Sequence, residues 1–124
     1  MSERLPGTAP DPSDQRAAPR RSVIVPVTVV VADGRRLVGR TLDVSAVGLG
    51  LTLPENVNPG SAVAAAFDLP AHKSGLVAVR ASGRIAYSAL VPKTGAYRIG
   101  LQWLTVSEET LRQLRAYSIG GPGS

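Results

Sequence analysis

Five residues have types and spacing suited to a chemistry: Arg16 and Arg20, four apart, then Asp43, Ser45 and Gly48. The arginines lie in Arg16-Ala17-Ala18-Pro19-Arg20-Arg21, where Pro19 opposes helix and leaves forked guanidinium donors on an extended segment. Arg21 adjoins them and is a third candidate for contact with an anionic group. Asp43-Val44-Ser45-Ala46-Val47-Gly48 offers an acceptor, a small donor-acceptor, and a glycine that lets a flat ligand approach the backbone. The two segments are complementary to one kind of ligand. Arginine reads the O6 and N7 acceptors of guanine bidentately, a carboxylate accepts from the N1–H and N2 amino group, and phosphates take the remaining donors. A plainer reading makes the arginines a solvated linker and Asp43 and Ser45 a turn that satisfies its own backbone.

Composition removes most other chemistries. Without cysteine there are no disulfides, thiolate metal ligands or cysteine nucleophiles, and with only His72 neither a histidine metal cluster nor a catalytic triad is expected. The chain therefore reads as a binding module rather than an enzyme, with no metal or cofactor. Phe67, Trp103 and three tyrosines are scattered, which is a poor supply for stacking along a strand of nucleic acid, so no nucleic acid polymer is expected as partner. No apolar run reaches the roughly 18–20 residues that span a bilayer, and Met1 to Pro6 lacks the apolar stretch of a secretory signal. A cytoplasmic protein without membrane insertion is the expectation. Twelve of the fourteen basic residues are Arg, and the net charge is +5; Glu3, Asp11 and Asp14 against Arg4 make residues 1–15 acidic, leaving +7 on residues 16–124.

The elements that must position these groups read as strands. At 124 residues the chain holds one domain. Residues 1–15, rich in Pro, Ser, Asp and Gly, read as a flexible tail, residues 16–118 as the domain, and residues 119–124 as a second flexible tail. Val23 to Val31 is a β-branched run with Pro26 inside it, which demands an edge or a bulge there. Asp33-Gly34 closes a hairpin to Arg36–Leu42. Asp43 to Gly48 interrupts the pattern before a third strand at Leu49–Leu53. Further strands are expected at Ala62–Leu69, Leu76–Tyr87 and Tyr97–Leu104, with Val77, Val79, Ala81, Gly83, Ile85 and Tyr87 sharing one face. Ser107-Glu108-Glu109-Thr110 then opens a helix in which Leu111, Leu114 and Tyr117 recur at helical spacing. The expected fold is an all-β, six-stranded antiparallel barrel flanked or plugged by a short C-terminal α-helix.

Arg16-xxx-Arg20, then Asp43-x-Ser45-xx-Gly48, then a β-rich stretch ending in Arg98-Ile99-Gly100-Leu101-Gln102-Trp103 and a short helix, resembles the PilZ domain family over about residues 15–118. The region Pro26 to Leu51 is similar to the PilZ module of bacterial cellulose synthases. The resemblance implies a six-stranded barrel that binds the second messenger cyclic di-GMP. It also implies Arg16 and Arg20 on guanine edges and phosphates, with Asp43, Ser45 and Gly48 cupping a guanine. Many members carry Gly-Gly where this chain has Val47-Gly48; β-branched Val47 disfavours positive φ, so a slightly altered loop and weaker binding are expected. A latch follows as the expected mechanism: residues up to Arg21 are mobile until ligand orders them, and the signal passes to a separate downstream protein or to a second copy of the chain. The competing expectation is an adaptor of the same fold that works through protein contacts without ligand.

Overall fold

The computed structural model describes residues 18–71 and 75–120. Seven strands follow in order: β1 (Arg20–Ser22), β2 (Pro26–Val30), β3 (Arg36–Ser45), β4 (Gly48–Leu53), β5 (Ala62–Ala71), β6 (Gly75–Leu90) and β7 (Tyr97–Thr105). They precede a helix, α1 (Glu108–Gly120). All pairings are antiparallel. The order β3-β2-β5-β6-β7-β4 closes on itself through β3–β4, making a six-stranded barrel, and β1 lies outside the closure along the far half of β3. The barrel with its single C-terminal helix is the architecture expected from the sequence. The helix runs to Gly120, two residues past the boundary expected at 118.

Alternation explains the interior. Leu49, Leu51 and Leu53 of β4, Val63, Ala65, Phe67 and Leu69 of β5, and Ile99 and Leu101 of β7 are buried, with exposed or small residues between them. The hairpin forms where Asp33-Gly34 stands: Gly34 takes φ +92°, the Val31 N–H donates to the Arg35 carbonyl, and Asp33 accepts the Arg35 N–H at 2.9 Å. At the other end, Ser107 Oγ accepts the Thr110 N–H at 3.1 Å and caps α1, whose Leu114 is wholly buried. Burying one such leucine contributes about 1.5–3 kcal/mol and holds the helix on β1 and β3.

Three expectations are corrected. The run Val23–Val31 is not one strand; it breaks at residues 23–25, between β1 and β2, because Pro26 has no N–H to donate. The wholly buried Thr41 on the facing strand spans the break, its hydroxyl donating to the Val23 carbonyl and accepting the Val25 N–H at 3.0 Å. Ile24 is thrown outward. Secondly, β3 does not stop at Leu42: it bulges between Thr41 and Asp43 and continues to Ser45, so Asp43 and Ser45 are strand residues. Thirdly, β6 changes register between Ile85 and Tyr87, and this extra residue turns Tyr87 away from the face it was expected to share with Ile85. Ile85 is buried and Tyr87 exposed.

Candidate functional site

Gly48-Leu49-Gly50-Leu51 sends its leucines into the barrel and leaves glycines on the outer side of β4. Gly50 pairs with Asp43 on one side and with Gly100 of β7 on the other, and Gly100 pairs with Tyr87. The row Asp43–Gly50–Gly100–Tyr87 therefore crosses four strands with two bare backbones at its centre. Side chains from both ends fold over them. A Cβ on Gly50 would stand 2.8 Å from Asp43 Oδ1, and a Cβ on Gly100 would meet the Tyr87 ring. Both glycines serve close approach, not special dihedrals.

Arg20 closes one end. It pairs with Ser45 in the ladder, and Ser22 pairs with Asp43, which places Arg20 and Asp43 diagonally on one face. Arg20 Nη2 donates to Asp43 Oδ1 at 2.6 Å, with the side chains 31% and 26% exposed. Neighbouring rows add charge: Gly48 pairs with Gln102, which pairs with Arg84, and Thr52 pairs with both Arg98 and Arg40. An exposed aromatic ring, an accessible carboxylate and surrounding guanidinium groups can together stack a base, accept from its amino edge and neutralise phosphate.

Ser45 and Gly48 belong to the frame beneath. The wholly buried Ser45 accepts the N–H groups of Val47 and Gly48, both at 3.1 Å, so its hydroxyl shapes the β3–β4 turn. Trp103 Nε1 donates to the Ser45 carbonyl at 3.2 Å while its ring stacks on Phe67, with centroids 6.5 Å apart and an interplanar angle of 12°. The Trp103 N–H donates to the Val47 carbonyl at 2.9 Å. A side chain on Gly48 would run into the Leu101 carbonyl, so this glycine is required by strand packing. Its φ is not positive, nor is that of Val47, and the turn accommodates the β-branched residue without strain.

Arg21 is not on this face. Its guanidinium lies 4.0 Å from the Tyr117 ring centroid, and Nη1 donates to the Tyr117 carbonyl at 3.3 Å, near the negative end of α1. Arg16 lies outside the described residues, as does His72. Arg20 and Arg21 stand in β1, paired with β3. The plain turn reading holds for Ser45 and not for Asp43, whose carboxylate goes to Arg20. Among the described residues no three His, Cys, Asp or Glu side chains are grouped to hold a metal ion.

Sequence reasoning missed Gly50, Gly100, Tyr87 and Arg98 as site residues, and read Arg84, with Arg80, as a solvated strand face that could extend the basic surface. The signal available was glycine at alternate, outward positions of two strands that otherwise read as good strand formers.

A family model described as PilZ domain matches residues 14–120. No curated protein matches the sequence. Among solved structures, the inhibitor of motility MotI/DgrA of Bacillus subtilis is similar at TM-score 0.70 and 15% identity, over 83% of this chain and 49% of that one. This chain thus spans about half its length. The PilZ domain of YcgR from Escherichia coli, solved with c-di-GMP, is similar at TM-score 0.60 and 19% identity, over 86% of this chain and 90% of that one. The PilZ domain of CeSA from a cellulose synthesizing bacterium is similar at TM-score 0.57 and 20% identity, over 82% and 95%. At these identities the likeness is one of fold.

Proposed function

The chain belongs to the PilZ domain family, and on that footing we propose that it is a receptor for cyclic di-GMP, which it binds on the outer face of β3, β4, β7 and β6. The carrying observation is the Arg20–Asp43 pair standing beside exposed Tyr87 across a floor of two glycines. The likeness to a PilZ domain solved with c-di-GMP supports the reading. In it, Tyr87 stacks a guanine, Asp43 accepts from the N1–H and N2 amino group, Arg20 reads O6 and N7 or a phosphate, and Arg16 supplies a second guanidinium. Ser45 and Gly48 hold the turn that follows the strand carrying Asp43, and Arg21 anchors α1.

Binding must open the Arg20–Asp43 pair. An exposed ion pair is worth at most about 1 kcal/mol, whereas a good bidentate arginine–guanine contact contributes about 1–3 kcal/mol. The exchange is downhill, and its consequence is local: the charge that tied β1 to β3 passes to the ligand. The protein then acts by binding, in the cytoplasm, and passes the signal to a separate partner or a second copy.

Calorimetric titration tests the reading. Cyclic di-GMP should bind, and Arg20→Ala and Asp43→Ala should each weaken it by roughly 1.5–3 kcal/mol with the fold intact. Cyclic di-AMP has the same phosphates but presents an amino donor where guanine has O6, so it should bind at least about tenfold more weakly. Equal affinity for the two nucleotides would reduce the site to a basic patch, and absence of binding would leave an adaptor acting through protein contacts.

A further inference from the structure

A second face of the barrel carries cationic groups that the nucleotide site does not use. On the outer side of β3, β2, β5 and β6, two adjoining hollows of about 590 and 440 Å³ share Thr28, Ala66 and Arg80 and form one groove. Its floor is small, with Ala64 and Ala66 presenting only methyl groups on β5. Arg36 and Arg80 both line the larger hollow, and the described ion pairs include neither. Asp68 lines the smaller hollow diagonally across from Arg80, and Glu108 and Glu109 follow Ser107, which lines the larger. Of the residues lining the two hollows Arg36 and Arg80 are cationic and Asp68 alone is acidic, so the groove is net positive, most of all on the Arg36 side.

The geometry decides what fits. β2 pairs with β3 on one side and with β5 on the other, and β5 continues to β6. No open strand edge lies in the floor, so an occupant cannot add itself as a strand and must dock through side chains. Arg36 stands on β3 and Arg80 on β6, three strand spacings apart, or about 14 Å. An extended segment fills one spacing of about 4.8 Å and would meet one wall only. An α-helix with its side chains is about 10–12 Å across and meets both. The small floor admits an apolar stripe, and exposed Leu76 at the far end offers it an apolar anchor.

We propose that this groove docks an acidic amphipathic helix of a partner protein, its apolar stripe on Ala64 and Ala66 and its flanking carboxylates on Arg36 and Arg80. The site is separate from the nucleotide face, although Phe67 in the smaller hollow stacks on Trp103, whose indole holds the Ser45 carbonyl.

The test uses the full chain and a fluorescent peptide of roughly 18 residues, long enough to be helical, with an alanine-leucine stripe flanked by glutamates. A counterpart with lysines in place of the glutamates is the control. The glutamate peptide should bind and the lysine peptide should not, with amide shifts concentrated at Thr28, Ala64, Ala66 and Ser82. The double variant Arg36→Ala/Arg80→Ala should weaken binding by about tenfold. Ala64→Leu, which keeps the charge and fills the floor, should weaken it as well. Titration of cyclic di-GMP into the same variants should be unchanged, so failure here is distinguishable from failure of the nucleotide reading. Equal binding of both peptides, shifts confined to the Arg20–Tyr87 face, or variants that bind as wild type would each overturn the proposal. A concentration-dependent dimer dissolved by the double variant would overturn it in favour of a second copy.

Discussion

Thr41 offers the sharpest test of how the nucleotide face is held, because its hydroxyl bridges two backbone groups at the break between β1 and β2. Thr41→Val keeps the volume and removes the oxygen. Two backbone groups then lose their partner: the Val23 carbonyl, on a residue only 8% exposed, and the N–H of half-buried Val25. A buried group left unsatisfied costs about 1–3 kcal/mol, and the Val25 N–H, nearer water, falls at the lower end of that range. The expected loss is about 2–4 kcal/mol. Thr41→Ser keeps both bonds and removes one methyl group, for which about 0.5–1.5 kcal/mol is expected. The hydrogen-bond account therefore ranks valine as the more damaging substitution, although valine is the closer match in shape and is more apolar. Urea unfolding followed by fluorescence of Trp103, the single tryptophan, gives both values, with an unchanged m expected. Because β1 carries Arg20, Thr41→Val should also weaken cyclic di-GMP more than Thr41→Ser does. If valine costs less than serine, or less than about 0.5 kcal/mol, the bridge does not hold the strands and packing alone does.

Gly48→Ala should destabilise the barrel, since the added carbon meets the Leu101 backbone, whereas Gly100→Ala meets the movable Tyr87 ring and should lower nucleotide affinity with a smaller stability loss; thermal unfolding beside calorimetry separates the two. Tyr87→Ala should reduce cyclic di-GMP affinity by about 1–3 kcal/mol, the usual worth of a base–aromatic stack, and leave unfolding unchanged. Arg21→Ala should do the reverse, lowering the melting temperature through loss of a cation–π contact of about 0.5–1 kcal/mol and of the bond to the Tyr117 carbonyl, with nucleotide affinity retained. The Arg35 N–H and guanidinium hold the Asp33 carboxyl below its ordinary value. Its contribution is therefore present above the unfolded value of about 3.9 and lost as pH falls through the folded one. The stability difference between Asp33→Asn and wild type should accordingly be present at neutral pH and vanish in strong acid, which unfolding curves across that range would show.

Much of the scaffold was legible from local rules. Strand alternation, the Asp33-Gly34 turn and the Ser107 cap each depend on a few consecutive residues and on backbone geometry that any surroundings would favour. The order Arg16, Arg20, Asp43, Ser45, Gly48 pointed to the family because it is a spacing of residue types along the chain, although among the described residues of this set only Arg20, Ser45 and Gly48 stand at strand ends in the structure, and Asp43 lies within β3. Even the irregularity at Pro26 was legible, because a residue without an N–H cannot sit in an unbroken ladder.

The tertiary structure decided which of these residues face one another. Arg20 and Arg21 are neighbours of one type, yet the pleat sends one to Asp43 and the other to Tyr117. Asp43 and Ser45 share a motif, yet one carboxylate reaches across to Arg20 while one hydroxyl turns to its own backbone. Tyr87 reads as a core residue by strict alternation, and only the extra residue opposite Gly100 turns it outward. This bulge is a mismatch between two strands, and Ile85-Ala86-Tyr87 holds no Gly or Pro to mark it, so the slip of one residue that moves a side chain from core to surface is not legible in the strand alone. The bare floor at Gly50 and Gly100 arises in the same way. The two glycines are fifty residues apart in sequence, and closure of β4 against β7 makes them one surface.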